Sequence, residues 1–328
     1  MRTIVIVPDD AGQRLDRFLR KILASEPLAR IFRYVRKGLI RVNGRKARPD
    51  LRLKAGDEVE IRVEMGETQA PAAKERTRLP RRAVQLAILH RDEHVLAVDK
   101  PPFLLVQQGE NEDEPTLDDL AAEQFGRGDS LTFKPSLAHR LDRGTSGIVL
   151  LGLTAEGLRG LTEAFRRREV DKRYLALVVG QPEQDAFVVD LPLRRDLSDR
   201  RRGAKVSVSH APDAQSALTE FTVLARDVRR GFALIEARPK TGRTHQIRAH
   251  LRARRLPIAG DPVYGDPARN RYFSEEAGLR RQFLHAARVE FAHPVDRASR
   301  LAVESPLPHD LLRMLRWAGL ADALPAGR

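Results

Sequence analysis

The chain contains no cysteine. That single absence excludes disulfide scaffolds, thiolate zinc sites, cysteine nucleophiles and thiol redox chemistry. Long apolar runs are also missing. The longest, GIVLLGL from Gly147 to Leu153, is far too short to span a bilayer. The opening MRTIVIVPDD holds only five weakly hydrophobic residues before Asp9 and Asp10, too few for a secretory signal. No Walker loop, dinucleotide-binding glycine pattern or Gly-x-Ser-x-Gly elbow is present, and there is no internal repeat. These absences point to a cytoplasmic protein with no membrane association.

Acidic residues are outnumbered, 45 Asp+Glu against 59 Lys+Arg, which leaves a net charge of +14. Such an excess suits a polyanionic partner, because basic groups displace counterions from phosphates; an Arg-rich composition in general would give the same number. With 328 residues, 41% hydrophobic and 32% charged, the chain is long enough for one large domain or two around sizeable cores.

The first 65 residues carry 16 Lys+Arg and 9 Asp+Glu, so half of the excess charge sits in about a fifth of the length. Leu15, Phe18, Leu19, Ile22 and Leu23 recur at helical spacing and predict an amphipathic helix. A second helix follows with Leu28, Ile31, Phe32 and Val35 inward and Arg30, Arg33, Arg36 and Lys37 off that face. Ile40-Arg41-Val42 alternates into Asn43-Gly44, a tight-turn dipeptide, and Val59, Ile61 and Val63 mark another strand. QRLDRFL (13–19), RKGLIRVNGRK (36–46) and AGDEVEI resemble the small RNA-binding domain named after ribosomal protein S-four. The resemblance implies RNA contacts from Arg33, Arg36, Lys37, Arg41 and Lys46.

After this module over 1–65, the segment 66–82 loses periodicity, gathers Pro, Ala and charge, and reads as a linker. Residues 83–328 interleave strands and helices as an α+β unit: Val95–Val98 is an apolar strand, Ile148–Leu151 another, and a helix starts near Thr154. Tyr174 to Val179 reads as a strand covered on both faces.

Two polar runs carry candidate chemistry. In AHRLDRGTSG (138–147), Asp142 lies between Arg140 and Arg143, whose charge favours an ionised carboxylate, on a turn leading into a buried strand. The residues alone leave two roles open: a nucleophile or general base, or a turn-capping carboxylate paired with arginine. In KTGRTHQIRAH (240–250), Gly242 admits close backbone approach, and Arg243 and Arg248 can pair with anions. His245 and His250 are five apart with no Glu between them, which misses metal-ligand spacing.

HRLDRGTSG (139–147) resembles the signature of the RluA-type pseudouridine synthases. The likeness continues through DKP (99–101), KRYLALVVG (172–180), TGRTHQIRAH, GDPVYGD (260–266) and FLHAARVEFAHP (283–294). The domain order and RYFSEEAGLRRQFLHA look most like the C branch of the large-subunit ribosomal RNA members. The resemblance implies an S-four-like domain followed by a mixed, mainly antiparallel-sheet catalytic domain that isomerises uridine to pseudouridine as a monomer, with no cofactor and no metal. It implies that Asp142 is the catalytic aspartate and that Tyr174 packs on the target base. Arg243 would pair with the aspartate, and Arg140 would enter the space left by the flipped nucleotide.

This chain departs from the family after DKP, where Phe103 and Gln107 stand in place of a glycine and a histidine. The acidic stretch Glu110–Glu114 reads as a solvated loop turned away from RNA. Arg194, Arg195, Arg200, Arg201, Arg202 and Lys205 form either a phosphate grip or a charged surface loop. The rival readings are a transfer RNA substrate, a non-catalytic ribosome-assembly factor, and a glycoside hydrolase. The last needs a second carboxylate that none of these motifs supplies.

Overall fold

The computed structural model describes residues 1–63, 85–108, 114–126, 128–196 and 205–324. The segment 66–82, residues 110–113, and Arg200, Arg201 and Arg202 lie outside the described residues.

In the first 63 residues, β1 (Arg2–Val5), α1 (Leu15–Ile22), α2 (Leu28–Arg36), β2 (Ile40–Val42), β3 (Arg45–Lys46) and β4 (Glu58–Ile61) form a four-stranded antiparallel sheet, order β1-β4-β2-β3, with two helices. Leu15, Phe18, Leu19 and Leu23 from the α1 region meet Ile31 and Val35 of α2 over Ile40, Val59 and Ile61. The helical spacing thus becomes a closed core. Leu28 does not join it: it opens α2 just after Pro27 and stays largely exposed. The β2–β3 hairpin turns at Asn43 and Gly44, both at positive φ, as a two-residue turn with that dipeptide requires.

The larger part contains β5 (Ala87–Arg91), β6 (Val95–Lys100), α3 (Leu117–Phe125), β7 (Ser136–Leu137), β8 (Ser146–Gly152), α4 (Ala155–Arg166), β9 (Asp171–Val179) and β10 (Ala186–Asp190). There follow β11 (Leu193–Arg195), β12 (Val206–Val208), β13 (Leu218–Asp227), β14 (Phe232–Pro239), α5 (Gln246–Ala253), α6 (Pro267–Glu276), β15 (Leu284–Ala292), β16 (Arg300–Glu304) and α7 (His309–Trp317). Ten strands make one sheet, order β10-β13-β14-β9-β15-β8-β6-β5, with β16 on β15 and β7 on β8. Every pairing in it is antiparallel except β15 with β8, where His285 and Ala286 lie opposite Ser146 and Gly147. The all-apolar run of β8 is buried throughout, and β9 is buried from Leu175 to Val178, as strands covered on both faces should be.

The two parts touch through the short helical turn Pro8–Asp10. Asp10, 1% exposed, accepts hydrogen bonds from Ser130 Oγ (2.7 Å), Leu131 N (3.1 Å), Thr132 N (3.0 Å) and Thr132 Oγ1 (2.5 Å). Beside it, Gln13 donates to Thr132 Oγ1, and Asp9 accepts from Ala155 N at 2.8 Å. The Asp9 carboxylate therefore sits at the N-terminus of α4, where the helix dipole favours negative charge.

Candidate active site

The parallel pairing at the middle of the sheet is what builds the site. The loop before β8 carries Asp142, and β15 lies between β8 and β9, so Ala286 pairs with both Gly147 and Tyr174. Gly147 has φ 109°, and a Cβ there would collide with the Ala286 backbone; Gly144 likewise lies hard against Gln282. Gly147 is thus needed for the loop to descend onto β15.

Buried cations hold that loop by its carbonyls. Lys100, 0% exposed at the end of β6, donates from Nζ to Pro101 O (2.9 Å), Leu104 O (3.1 Å) and Arg143 O (3.2 Å). Burial draws its ammonium down to about 7, with Arg281 adding repulsion and Asp142 and Asp99 opposing. Arg281, itself bidentate to Asp310 of α7, donates to Gly144 O at 3.0 Å. Nothing in the sequence beyond the DKP likeness flagged Lys100, because its partners are main-chain carbonyls, which leave no compositional trace.

A cavity of about 630 Å³ opens above, lined among others by Arg140, Asp142, Lys172, Tyr174, Arg243, His245 and Arg248. Asp142 Oδ2 accepts from Arg248 Nη1 at 2.8 Å, and His245 Nε2 lies 3.8 Å from the same oxygen. Oδ1 has no hydrogen-bond partner among the described residues. Arg248, 4% exposed, is itself clamped by Asp261, 0% exposed, with Nε to Oδ2 at 2.7 Å and Nη2 to Oδ1 at 2.9 Å. Burial works against the Arg248 charge, but the bonds and field of Asp261, and then of Asp142, outweigh it and raise its pKa. Burial would raise Asp261, and the bonds from Arg248 pull it below the usual carboxylate range. Asp261 also accepts from Val263 N and Tyr264 N, and Arg248 lies 5.1 Å above the Tyr264 ring.

Arg243 does not pair with Asp142. Its Nε donates to Ser216 O at 3.1 Å, on the cavity rim. The reason is where the helix begins. His245 is left-handed at φ 54°, α5 starts only at Gln246, and residues 240–245 form a loop pinned by Gln246 Oε1 to Thr241 and Arg243 N. Only Arg248, inside the helix beside Ile247 and Leu251, reaches the carboxylate. Arg248 lies in the buried stretch Gln246–Leu251 of α5, where an arginine needs a buried acid, and Asp261 of GDPVYGD supplies it.

Tyr174 lies on β9 facing the cavity, and burial, reinforced by the Asp142 charge, raises its hydroxyl pKa. Among the described residues no hydrogen bond to that hydroxyl is present. Lys172, two residues earlier, has Nζ 3.4 Å from Thr241 O and 6.0 Å from the Phe165 ring centre; burial draws it down to about 8, against the pull of Asp171. His139 accepts from Leu150 N and stacks on Phe165, and burial lowers it to about 3, so it is neutral. Arg140 is exposed at the cavity mouth, while Arg143 turns away to Glu114 at 2.8 Å. Glu114, the one described residue of the acidic stretch 110–114, is exposed, as a solvated loop should be, and lies just before Thr116, the N-cap of α3.

On the small module, Arg33, Arg36, Lys37 and Lys46 are exposed and have no carboxylate partner among the described residues, unlike Arg14, Arg30 and Arg62. Arg41 is half-buried and donates to Gly38 O and Gly44 O, so it braces the hairpin.

Residues 94–253 match the model of the RNA pseudouridylate synthase family, and residues 13–59 match the S4 domain. The chain is 37% identical to ribosomal large subunit pseudouridine synthase C of Escherichia coli K12, covering 96% of both chains. It is 33% identical to ribosomal large subunit pseudouridine synthase D of Xanthomonas campestris pv. campestris, covering 94% of this chain and 90% of that one. The solved structure of human RNA pseudouridylate synthase domain containing 4 is similar over 71% of this chain and 93% of that one, at 28% identity and a TM-score of 0.56.

Proposed function

Since the chain belongs to the RNA pseudouridylate synthase family, with an S4 domain ahead of the synthase domain, we propose that its substrate is large-subunit ribosomal RNA and that Asp142 is its reacting carboxylate. In the isomerisation the N1–C1′ bond of a uridine breaks, the uracil turns, a C5–C1′ bond forms, and the proton lost from C5 is balanced by one gained at N1. There is no net redox change or hydrolysis, so the balance calls for no co-reactant.

The observation that carries this reading is the asymmetry at Asp142: Oδ2 is fixed by Arg248, while Oδ1 has no hydrogen-bond partner among the described residues, in a cavity that Tyr174 also lines. A carboxylate held in this way can act at the ribose, by attack on C1′ or by withdrawing the C2′ proton. Tyr174 offers its ring to the uracil. A stacked uridine must be flipped out to arrive, at a cost of a few kcal/mol. Arg140 at the mouth can fill the gap left behind. Arg33, Arg36, Lys37 and Lys46 would grip phosphates without reading sequence, with Arg41 holding the β2–β3 hairpin that carries Lys46. The reading takes 1–65 and 83–328 as two domains joined by 66–82, and the enzyme as a cytoplasmic monomer.

Pseudouridine mapping by carbodiimide treatment and reverse transcription, comparing wild type with Asp142→Asn, tests it. Stops lost from large-subunit RNA support the proposal. Stops lost only from transfer RNA overturn the substrate, and an unchanged map overturns the site.

A further inference from the structure

We propose that Phe103 is a stacking platform for the base of a nucleotide next to the flipped uridine, on the strand that enters the Asp142 cavity. This rests on the assignment of that cavity to a target uridine.

Phe103 combines two features that nothing among the described residues offsets. Its backbone is left-handed, φ 69°, a region costly for a bulky side chain. Its ring is 52% exposed, and it joins none of the hydrophobic clusters, although Leu104 beside it does. The conformation is imposed from both sides. Phe103 N donates to Arg143 O at 2.8 Å, and Lys100 Nζ binds Pro101 O, Leu104 O and the same Arg143 O. The loop is therefore clipped to the residue immediately after Asp142, so the exposed Phe103 is anchored by its backbone next to the Asp142 loop.

Two of the other four non-glycine residues at positive φ among the described residues, Arg168 and His245, line the cavity itself. A ring held in strain and in water is stabilised when a flat partner covers it. The occupant is identified by what surrounds the ring. Asp142 is one residue from the clip, and Arg140 at the cavity mouth supplies positive charge for a phosphate backbone. A nucleobase is the flat group such a backbone carries, and base–aromatic stacking is tolerant of which base it is.

The test uses a stem-loop transcript containing a uridine that mapping has shown to be modified, together with versions abasic at its 5′ or its 3′ neighbour. Phe103→Gly should keep its melting midpoint, since glycine suits the left-handed position, and should lose roughly 5- to 150-fold in kcat/KM, the range of one base–aromatic stack. Phe103→Leu, apolar without a π face, should lose as much, and Phe103→Trp should stay within about threefold of wild type. One abasic transcript should cost wild type the same factor and cost Phe103→Gly nothing further, because both changes remove one contact. Equal kcat/KM for Phe103→Gly and wild type, or losses that multiply with both abasic transcripts, would overturn the stacking role. A wild type that leaves the intact transcript unmodified would overturn the assignment of the site, and the platform with it.

Discussion

Asp10 and Asp142 are both carboxylates in loops between elements, and the structure uses them in opposite ways. Asp10 is sealed off and surrounded by four neutral donors that account for both oxygens. Asp142 is half-exposed and has one oxygen bound by a cation that is itself bound by Asp261. Saturation with hydrogen bonds makes a joint, because nothing is left over to react. Partial saturation by a rigid arginine makes a reagent, because direction is fixed and one oxygen stays open. Burial by itself marks neither role.

Asp142→Asn should lower turnover by roughly 10³-fold or more while the fold persists, since Arg248 keeps both bonds to Asp261. Single-turnover kinetics beside thermal melting would show it, and a large loss of stability would break the contrast with Asp10. Next in size, Arg248→Lys should reduce kcat by about 10²-fold, because lysine cannot span two carboxylates with a fixed fork. Arg243→Ala should instead raise KM by only a few-fold at unchanged kcat, and a kcat defect equal to that of Arg248→Lys would restore Arg243 as the carboxylate's partner.

Asp10→Ala strands Ser130, Leu131 and Thr132 donors in a buried joint. It should cost about 3 kcal/mol, seen as faster hydrogen exchange over residues 128–133, with kcat on a short RNA preserved. The smallest effect concerns Lys172, whose ammonium titrates at about 8. Below that pH it is charged and attracts the RNA backbone; above it the charge is lost. Wild-type RNA affinity should therefore fall as pH rises from 7 to 9. Lys172→Met should remove that inflection and reduce the salt slope by about one.

The parts legible in the sequence are those written in consecutive residues. HRLDRGTSG located the Asp142 loop because turn glycines, the acid and the buried strand follow one another directly. The helical spacing from Leu15 to Leu23 located α1 for the same reason. That Arg248 and not Arg243 pairs with Asp142 is not legible in the motif, because the pairing depends on where α5 starts, and that is set by the left-handed His245, a conformation uncommon for any non-glycine residue. Asp10 was invisible as a joint, since its partners lie about 120 residues away and are common polar groups. Lys100 was hidden for a different reason: three main-chain carbonyls hold it, and these exist at every position of every sequence.

The place of β15 bears on the order in which the protein is made. β8 and β9, which bring the Asp142 loop and Tyr174, are both synthesised well before β15, yet β15 lies between them and pairs with each. Until residues 284–292 emerge, β9 has no partner on that side and Tyr174 is not in register with the strand that follows Asp142. Asp310, the partner that holds Arg281 against the same loop, comes later still. Non-local pairing of this kind is slow and closes only once the late strand arrives. A nascent chain thus carries every residue of the HRLDRGTSG and KRYLALV segments without a formed cavity, and the site is born inert, close to the ribosome that makes it.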